Sequence, residues 1–473
     1  MHSNSATFAD NTRQALLDAD KLKRRDNFGL YMQSKHQEGV DGFSDYQQAR
    51  QHVKAVREHT LNNLAYYLDQ YERQAKDNGN HLHWARNAEE FNQTVLDICR
   101  KRDVQRVAKG KSMVTEETDL RGSLEQAGLE VTETDLGEYI IQQAGETPSH
   151  IVGPAMHKSV EEIRQLFLDK HHLGERDLSE PSAMVSEARG VLRQHFLNAD
   201  LGIIGANALI AENGYSMLVT NEGNGDLSAC LPKTLIVCTT IDRLLPRFED
   251  ATAALRLLAR TAIGQATSTY VSFYSGPRRE QDVDGPVEVH IVLLDNHRSE
   301  MLGTAYQDML RCIRCGSCLT QCPIYNSTGG HAYGGVYTGP MGSVLTPLLE
   351  GLENAHELPN ACTACGRCAE ACPADIPLPD LLRNLRHEEK IRKLSPPRWR
   401  WGLAAHAWLA RQPRLYQSLT SVSMKLMHML GRRAGVFRRL PLASGWISQR
   451  DFPAPQGGTF MSRHRAMQKK NHD

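Results

Sequence analysis

The sequence predicts a layered α/β domain with a largely parallel sheet, followed by a mainly helical, cysteine-rich module and a basic helical tail. Three observations carry this. Short strand-like apolar runs alternate with helical stretches between residues 101 and 300. Eight of the 11 cysteines fall into two runs of identical spacing, beginning at Cys312 and Cys362. Residues 381–473 hold 19 Lys and Arg against 4 Asp and Glu, an excess of 15 in a chain whose 55 basic and 55 acidic residues cancel overall. A basic tail on an acidic body points to an acidic partner, an anionic membrane surface or nucleic acid.

Taken in order, residues 1–100 read as a polar helical segment leading into the α/β domain. Residues 45–75 contain no Pro or Gly, and Val53, Val56, Leu64, Tyr67 and Leu68 recur at roughly helical spacing until Asn78-Gly79-Asn80 stops the run. Residues 101–305 form the α/β domain. Its candidate strands are Val104–Ala108, Leu129–Thr134, Ile151–Val152, Tyr215–Val219, Leu235–Cys238 and Val289–Leu294, with helices over 158–170 and 182–197. Residues 306–385 form the cysteine module, whose Gly-rich stretch 326–342 precedes a helix over Ser343–Leu352. Residues 386–473 form the basic region. It starts helical, is amphipathic over 399–430 (Trp399, Trp401, Trp408, Leu409, Leu415, Leu419, Met424) and carries Arg432-Arg433 and Arg438-Arg439. Its end, Pro/Gly-rich and then basic, is expected to be disordered.

The runs are Cys312-x2-Cys315-x2-Cys318-x3-Cys322-Pro323 and Cys362-x2-Cys365-x2-Cys368-x3-Cys372-Pro373. Each has the C-x2-C-x2-C-x3-C-P spacing that holds a [4Fe–4S] cluster. The two-residue gaps let one loop set three thiolates on three irons of a cube. The fourth cysteine crosses to the other cluster in two-cluster ferredoxins. Cluster one is thereby assigned to Cys312, Cys315, Cys318 and Cys372, and cluster two to Cys362, Cys365, Cys368 and Cys322. Zinc sites use C-x2-C pairs, two per metal, and need no such rhythm ending twice in Pro. The spacer between Cys322 and Cys362 is long for a compact bacterial ferredoxin. It resembles the helical ferredoxin module of succinate- and glycerol-phosphate-type dehydrogenase subunits.

Cluster thiolates must stay reduced, which predicts a cytoplasmic setting. The first residues, MHSNSATFADNTRQALL, lack the pattern of a signal peptide, and no run of 18 apolar residues occurs. Peripheral binding at the inner face of the membrane is the further expectation, since Trp and Leu interleave with Arg over 399–440. No nucleic-acid module is present, so nucleic acid is not an expected partner. Cys99, Cys230 and Cys238 read as buried small hydrophobes. His331 and His356 flank the cysteine runs and could tune a cluster, though a plain surface role is the commoner one.

Within the α/β domain, Gly and Asn cluster where strands end, and there ligands bind in α/β sheets. Gly205, Asn207, Asn221 and Asn224 are the binding candidates; ordinary turns are the alternative. The stretches KGKSMVTEETDL (109–120), ETDLGEYIIQQAGETPSHIVGPAMHK (133–158), GANALIAENGYSMLVTNEGNG (205–225) and HIVLLDNHRSE (290–300) resemble the LUD domain of lactate-utilisation proteins. The resemblance implies an α/β fold of the broad sugar-phosphate isomerase and coenzyme A transferase-like kind. With the cysteine module behind it, the resemblance also implies an iron–sulfur subunit of a complex oxidising L-lactate to pyruvate through two [4Fe–4S] clusters. Its implied companions are a cysteine-rich subunit and a cluster-free LUD subunit. No dinucleotide fingerprint is visible, so a two-electron centre is expected on a partner. The alternative is a LUD domain itself acting on a small acid or acyl thioester, with Glu212 or Glu222 as nucleophile and the clusters structural or regulatory.

Overall fold

The computed structural model describes residues 4–431, 433–440 and 450–470, so Arg432 lies outside the described residues. The chain divides into two units, 1–389 and 390–473. In the first, ten strands run in chain order: β1 (His81–Ala85), β2 (Arg106–Lys109), β3 (Glu130–Glu133), β4 (Leu201–Gly205), β5 (Ala208–Ile210), β6 (Tyr215–Thr220), β7 (Thr234–Thr240), β8 (Leu244–Leu245), β9 (Tyr270–Tyr274) and β10 (Glu288–Leu294). Six of them make one sheet in the order β1-β10-β7-β4-β2-β3, with every adjacent pair parallel. The other four make a smaller mixed sheet, β8-β5-β6-β9.

The central strands are continuous apolar runs because helices cover both faces. All seven residues of β7 are buried. Ile236 and Cys238 face Phe91, Val95, Leu120 and Leu124 on one side. Leu235 and Val237 face Leu64, Tyr71 and Ala229 on the other. The chain runs outward from β2 to β3, then returns to the far side of β2 for β4 and continues to β7 and β10. The boundary between β2 and β4 is therefore the topological switch point, where the loops after the strands diverge and leave a crevice.

Five of the six expected strands are present. Ile151–Val152 is not one: it lies in a bend. The buried His150 ring accepts the N–H groups of both Val152 (3.0 Å) and Gly153 (3.1 Å) at Nδ1, so neither is available to a ladder. The aliphatic side chains instead pack on Gly316 of the first cysteine loop. Conversely, β1 lies in a stretch read as wholly helical. Its sequence, HLHWA, is polar for a strand because it forms a sheet edge.

The helices Ala19–Asp41 and Tyr46–Asn62 precede the sheets, and the cysteine module follows them as short helices, the longest being Gly339–Glu350 and Leu378–Ile391. Among its described residues the second unit contains the helices Pro397–Ala410, Pro413–Gly431 and Phe460–Lys470, the last where composition predicted no order. Among the described residues no helix is long and apolar enough to cross a membrane.

Candidate functional site

The two cysteine loops are built alike, 50 residues apart. Arg314 and Ala364, two residues after the first cysteine of each run, both take left-handed φ values (59° and 57°). This turns the Arg314 N–H onto Cys312 Sγ at 3.4 Å and the Ala364 N–H onto Cys362 Sγ at 3.2 Å. Gly316 (φ 76°) and Gly366 (φ 87°) then turn each chain into a one-turn helix carrying the third cysteine. Backbone N–H groups aimed at sulfur are what a cluster's thiolates require, since they stabilise its negative charge.

Cys312, Cys315, Cys318 and Cys372 line one space, walled otherwise mostly by apolar side chains such as Met309, Ile313, Leu319, Met341, Ile376 and Leu378. Three of these cysteines come from the first run and one from the second. Around Cys322, the neighbouring thiols acting on it are those of Cys362 and Cys365. Cys322 in turn acts on Cys368. Each fourth cysteine thus lies beside the opposite triplet. Burial pushes the Cys315 and Cys368 thiols up to about 12 and Cys372 up to about 11. Iron must displace those protons, which couples assembly to proton release.

The donor set fits a cluster in one further respect. The Tyr333 side chain is fully buried, and its hydroxyl has the Thr328 side chain nearby but no partner in hydrogen-bond geometry among the described residues, the Thr328 hydroxyl being directed at the Ile324 carbonyl. It lies near Cys322 and Cys362, close enough for both thiols to act on it. A sulfur acceptor there would satisfy an otherwise orphaned donor. His331 Nε2 donates to the Thr147 carbonyl (2.8 Å) and is exposed; His356 contacts its own helix at the Glu353 carbonyl. Neither meets a cysteine.

The two loops differ in exposure. Cys315, Gly316 and Ser317 are buried, whereas Thr363, Ala364 and Cys365 are exposed. The first loop is covered by the LUD-like domain and by the N-terminal helices, whose part in the site composition did not reveal. Arg50 donates to the carbonyls of Cys372 (2.7 Å) and Ala369 (2.9 Å) and pairs with Asp375. His36 meets the Ser317 hydroxyl at 3.1 Å, and Gln33 donates to the Thr320 carbonyl at 2.8 Å. The buried Arg57 donates to the carbonyls of Asp242, Leu244 and Leu310, tying the end of β7 to the residues before Cys312. Such contacts span up to 325 residues and leave no local pattern.

A second feature adjoins the first loop. A cavity of about 300 Å³ opens at the switch point, lined by residues after β2 (Gly110, Lys111), β3 (Asp135) and β4 (Gly205, Ala206, Asn207). Ile313, Arg314 and Cys315 of the cysteine module complete its wall, so Cys315 borders both spaces. Gly205, Asn207, Asn221 and Asn224 all line it, as does Glu222. Two of them are engaged in turn structure: Asn207 Oδ1 accepts the Val219 N–H (2.9 Å), and Asn221 Oδ1 accepts the Thr269 N–H (3.0 Å). Asn224 is 8% exposed. Glu212 is elsewhere. Its carboxylate accepts the Phe248 N–H at 3.0 Å, the first of the helix Phe248–Ile263, and so caps a helix.

Charged residues of the resembling stretches support the cavity from below. Lys109, with no exposed side chain, donates to Glu133 (2.8 Å) and Glu116 (2.9 Å). Lys111 pairs with Glu138 at 3.1 Å. Burial holds Glu133 above the usual carboxylate range even beside Lys109. Cys238, near the end of β7, is fully buried between the cavity wall and the hydrophobic core, which also holds Cys99.

Residues 68–294 match the LUD domain family, and residues 308–376 match the 4Fe-4S dicluster domain family. The chain is similar to lactate utilization protein B of Bacillus velezensis, 39% identical over 91% of this chain and 90% of that one. The protein of the same name from Oceanobacillus iheyensis is 42% identical over 89% and 88%. That from Macrococcus caseolyticus is 42% identical over 89% and 88%. A crystal structure of a DUF162 family protein from Deinococcus radiodurans aligns at 13% identity with a TM-score of 0.28, over 49% of this chain and 98% of that one, which carries no argument about the fold. Identity of this order along nine-tenths of both chains, with the LUD and dicluster matches in the same order as the sheet and the cysteine loops, places the chain in the lactate utilization protein B family.

Proposed function

We propose that this chain is the iron–sulfur electron-transfer subunit of a complex that oxidises L-lactate to pyruvate. Two [4Fe–4S] clusters relay the electrons, one held by Cys312, Cys315, Cys318 and Cys372, the other by Cys362, Cys365, Cys368 and Cys322. The observation that carries the reading is the pair of matching loops in which each fourth cysteine sits beside the opposite triplet. Such clusters, when bound, accept one electron each, so a pair takes the two electrons of a 2-hydroxy acid in succession. The chain's own part is to hold the cubes close, to keep the first dry and to leave the second near the surface. The first loop borders the cavity and the second lies at the surface, so clusters held there would link the two.

The same reading includes a two-electron centre on a partner, a cysteine-rich companion and a second, cluster-free LUD companion. It also takes the LUD domain as akin to sugar-phosphate isomerase and coenzyme A transferase-like domains. Reconstitution of the chain with its companions, followed by lactate-dependent dye reduction, is the test. Cys315→Ser and Cys365→Ser are each expected to lower the rate at least tenfold. Undiminished rates in both would contradict the relay.

The unit 390–473 is assigned, on the same footing, to peripheral docking on an anionic membrane surface at the cytoplasmic face. Its helices expose Trp399 (61%), Trp401 (76%) and Trp408 (61%) beside Arg398 and Arg400. Salt-sensitive flotation with anionic liposomes is expected for the full chain and not for a chain ending at residue 390; equal partitioning of the two would exclude it.

A further inference from the structure

We propose that the cavity at the β2/β4 switch point is a binding site for a small carboxylic acid, whose carboxylate is held by Arg314 at the wall shared with cluster one. The ligand class is a 2-hydroxy acid or its 2-oxo product; that choice rests on the lactate reading above, whereas the choice of a carboxylate does not.

Four observations converge on this. The position is where open α/β sheets bind ligands, and the volume of about 300 Å³ is at the small end for ligand sites. Second, Arg314 is a half-buried cation with no carboxylate at ion-pair distance among the described residues; the carboxylate that acts on it, Asp242, is already paired with Arg243 and Arg298. Its guanidinium lies over the Tyr337 ring at 4.5 Å and meets only the Met341 sulfur, at 3.3 Å. A guanidinium fork matches a carboxylate bidentately. The left-handed backbone at Arg314 fixes its origin in the cluster-one loop.

Third, the other basic groups in the wall are already matched. Arg243 pairs with Asp242 at 2.5 Å and Lys111 with Glu138 at 3.1 Å. Fourth, the Asn224 side chain is more than nine-tenths buried in the wall and makes no hydrogen bond among the described residues. It is a donor and acceptor available to a ligand hydroxyl or carbonyl. Ile204, Leu218, Val219 and Leu258 supply an apolar wall suited to a short aliphatic end.

Arg314 also lies near Cys312, so its charge would offset that of a cluster. The test must separate that role from ligand binding. The anaerobically purified full chain, with its iron content verified, is titrated calorimetrically with L-lactate, pyruvate and the neutral isostere lactamide. Saturable one-to-one binding of the acids, and none of lactamide, is expected. Arg314→Gln is expected to weaken acid binding at least tenfold. Asn224→Leu, which lies outside the cysteine module, is expected to weaken it severalfold with both clusters retained. Added acid is also expected to shift the EPR signal that Cys315→Ser abolishes and to leave the other unchanged.

Absence of saturable binding by either acid overturns the site and leaves the electron-transfer reading standing. Binding that neither substitution weakens also overturns it, and reduces Arg314 to a counter-charge. Tight binding of acids by the chain, with no lactate-dependent reduction in the reconstituted complex, supports the site and sinks the lactate reading instead.

Discussion

Cys372→Ser is expected to remove cluster one rather than cluster two, although Cys372 belongs to the second run. The structure sets Cys372 in the same apolar space as Cys312, Cys315 and Cys318. Losing one of four thiolates leaves an iron without its ligand in a site that backbone N–H groups and apolar walls have shaped for four sulfurs. Iron is expected to fall from about eight to about four atoms per chain. The remaining EPR signal should match that of Cys315→Ser. Cys322→Ser is the reciprocal case and should match Cys365→Ser. If Cys372→Ser instead resembled Cys365→Ser, each run would be holding its own cluster and the crossing would be wrong. Because cluster binding is linked to folding, both crossing variants should also melt earlier than the wild type under anaerobic conditions.

Arg298→Met should be among the most destabilising single changes outside the cysteines, by about 3–5 kcal/mol. Arg298 is fully buried. It donates to both oxygens of Glu117 (3.0 and 2.6 Å) and pairs with Asp242 at 3.1 Å. Tyr337 from the cysteine module donates to the same Glu117 at 2.5 Å, and Asn296 at 2.7 Å. The network therefore joins the ends of β7 and β10 to the module that follows. Removing the cation leaves two buried carboxylates short of their counter-charge, and the methionine supplies none. Denaturant unfolding of the variant against the wild type measures the loss.

The same network fixes a pH dependence. Burial pushes Glu117 up, but Arg298 and the hydrogen bonds from Arg298, Tyr337 and Asn296 outweigh it and hold it below the usual range. Asp242, likewise raised by burial, is held far below by Arg243 and Arg298. Groups depressed in the folded state contribute stability that is present above their unfolded values, here the ordinary 4.5 of Glu and 3.8 of Asp. That stability is lost as pH falls through the folded values. Wild-type stability should therefore drop below about pH 4.5. The Arg298→Met variant should lose much of that acid-side slope.

What was legible in the sequence follows the range of the interactions involved. The cysteine runs could be read because their chemistry lies in the covalent spacing itself, and the proposed crossing rests on the same spacing. The parallel core was legible because β7 and β10 are apolar on both faces. Ile151–Val152 misled because two apolar residues give no period, and the decisive partner is the His150 ring beside them. β1 was missed because edge strands tolerate polar residues. Gly205, Asn207, Asn221, Asn224 and Glu222 were candidates from turn composition, and they line one cavity. Glu212, picked by the same logic, caps a helix whose first residue lies 36 positions on. Arg314 and Lys111 were invisible as partners in one wall. One comes from the cysteine loop and the other from the end of β2, and only the packing of the two modules brings them together.

The most direct measurement is the metal content of the anaerobically purified or reconstituted chain, by iron and acid-labile sulfide analysis with Mössbauer spectroscopy. The account predicts about eight irons and eight sulfides per chain, all in [4Fe–4S] environments. A chain that took up no iron–sulfur cluster, or that bound mononuclear iron or zinc at these cysteines, would contradict it.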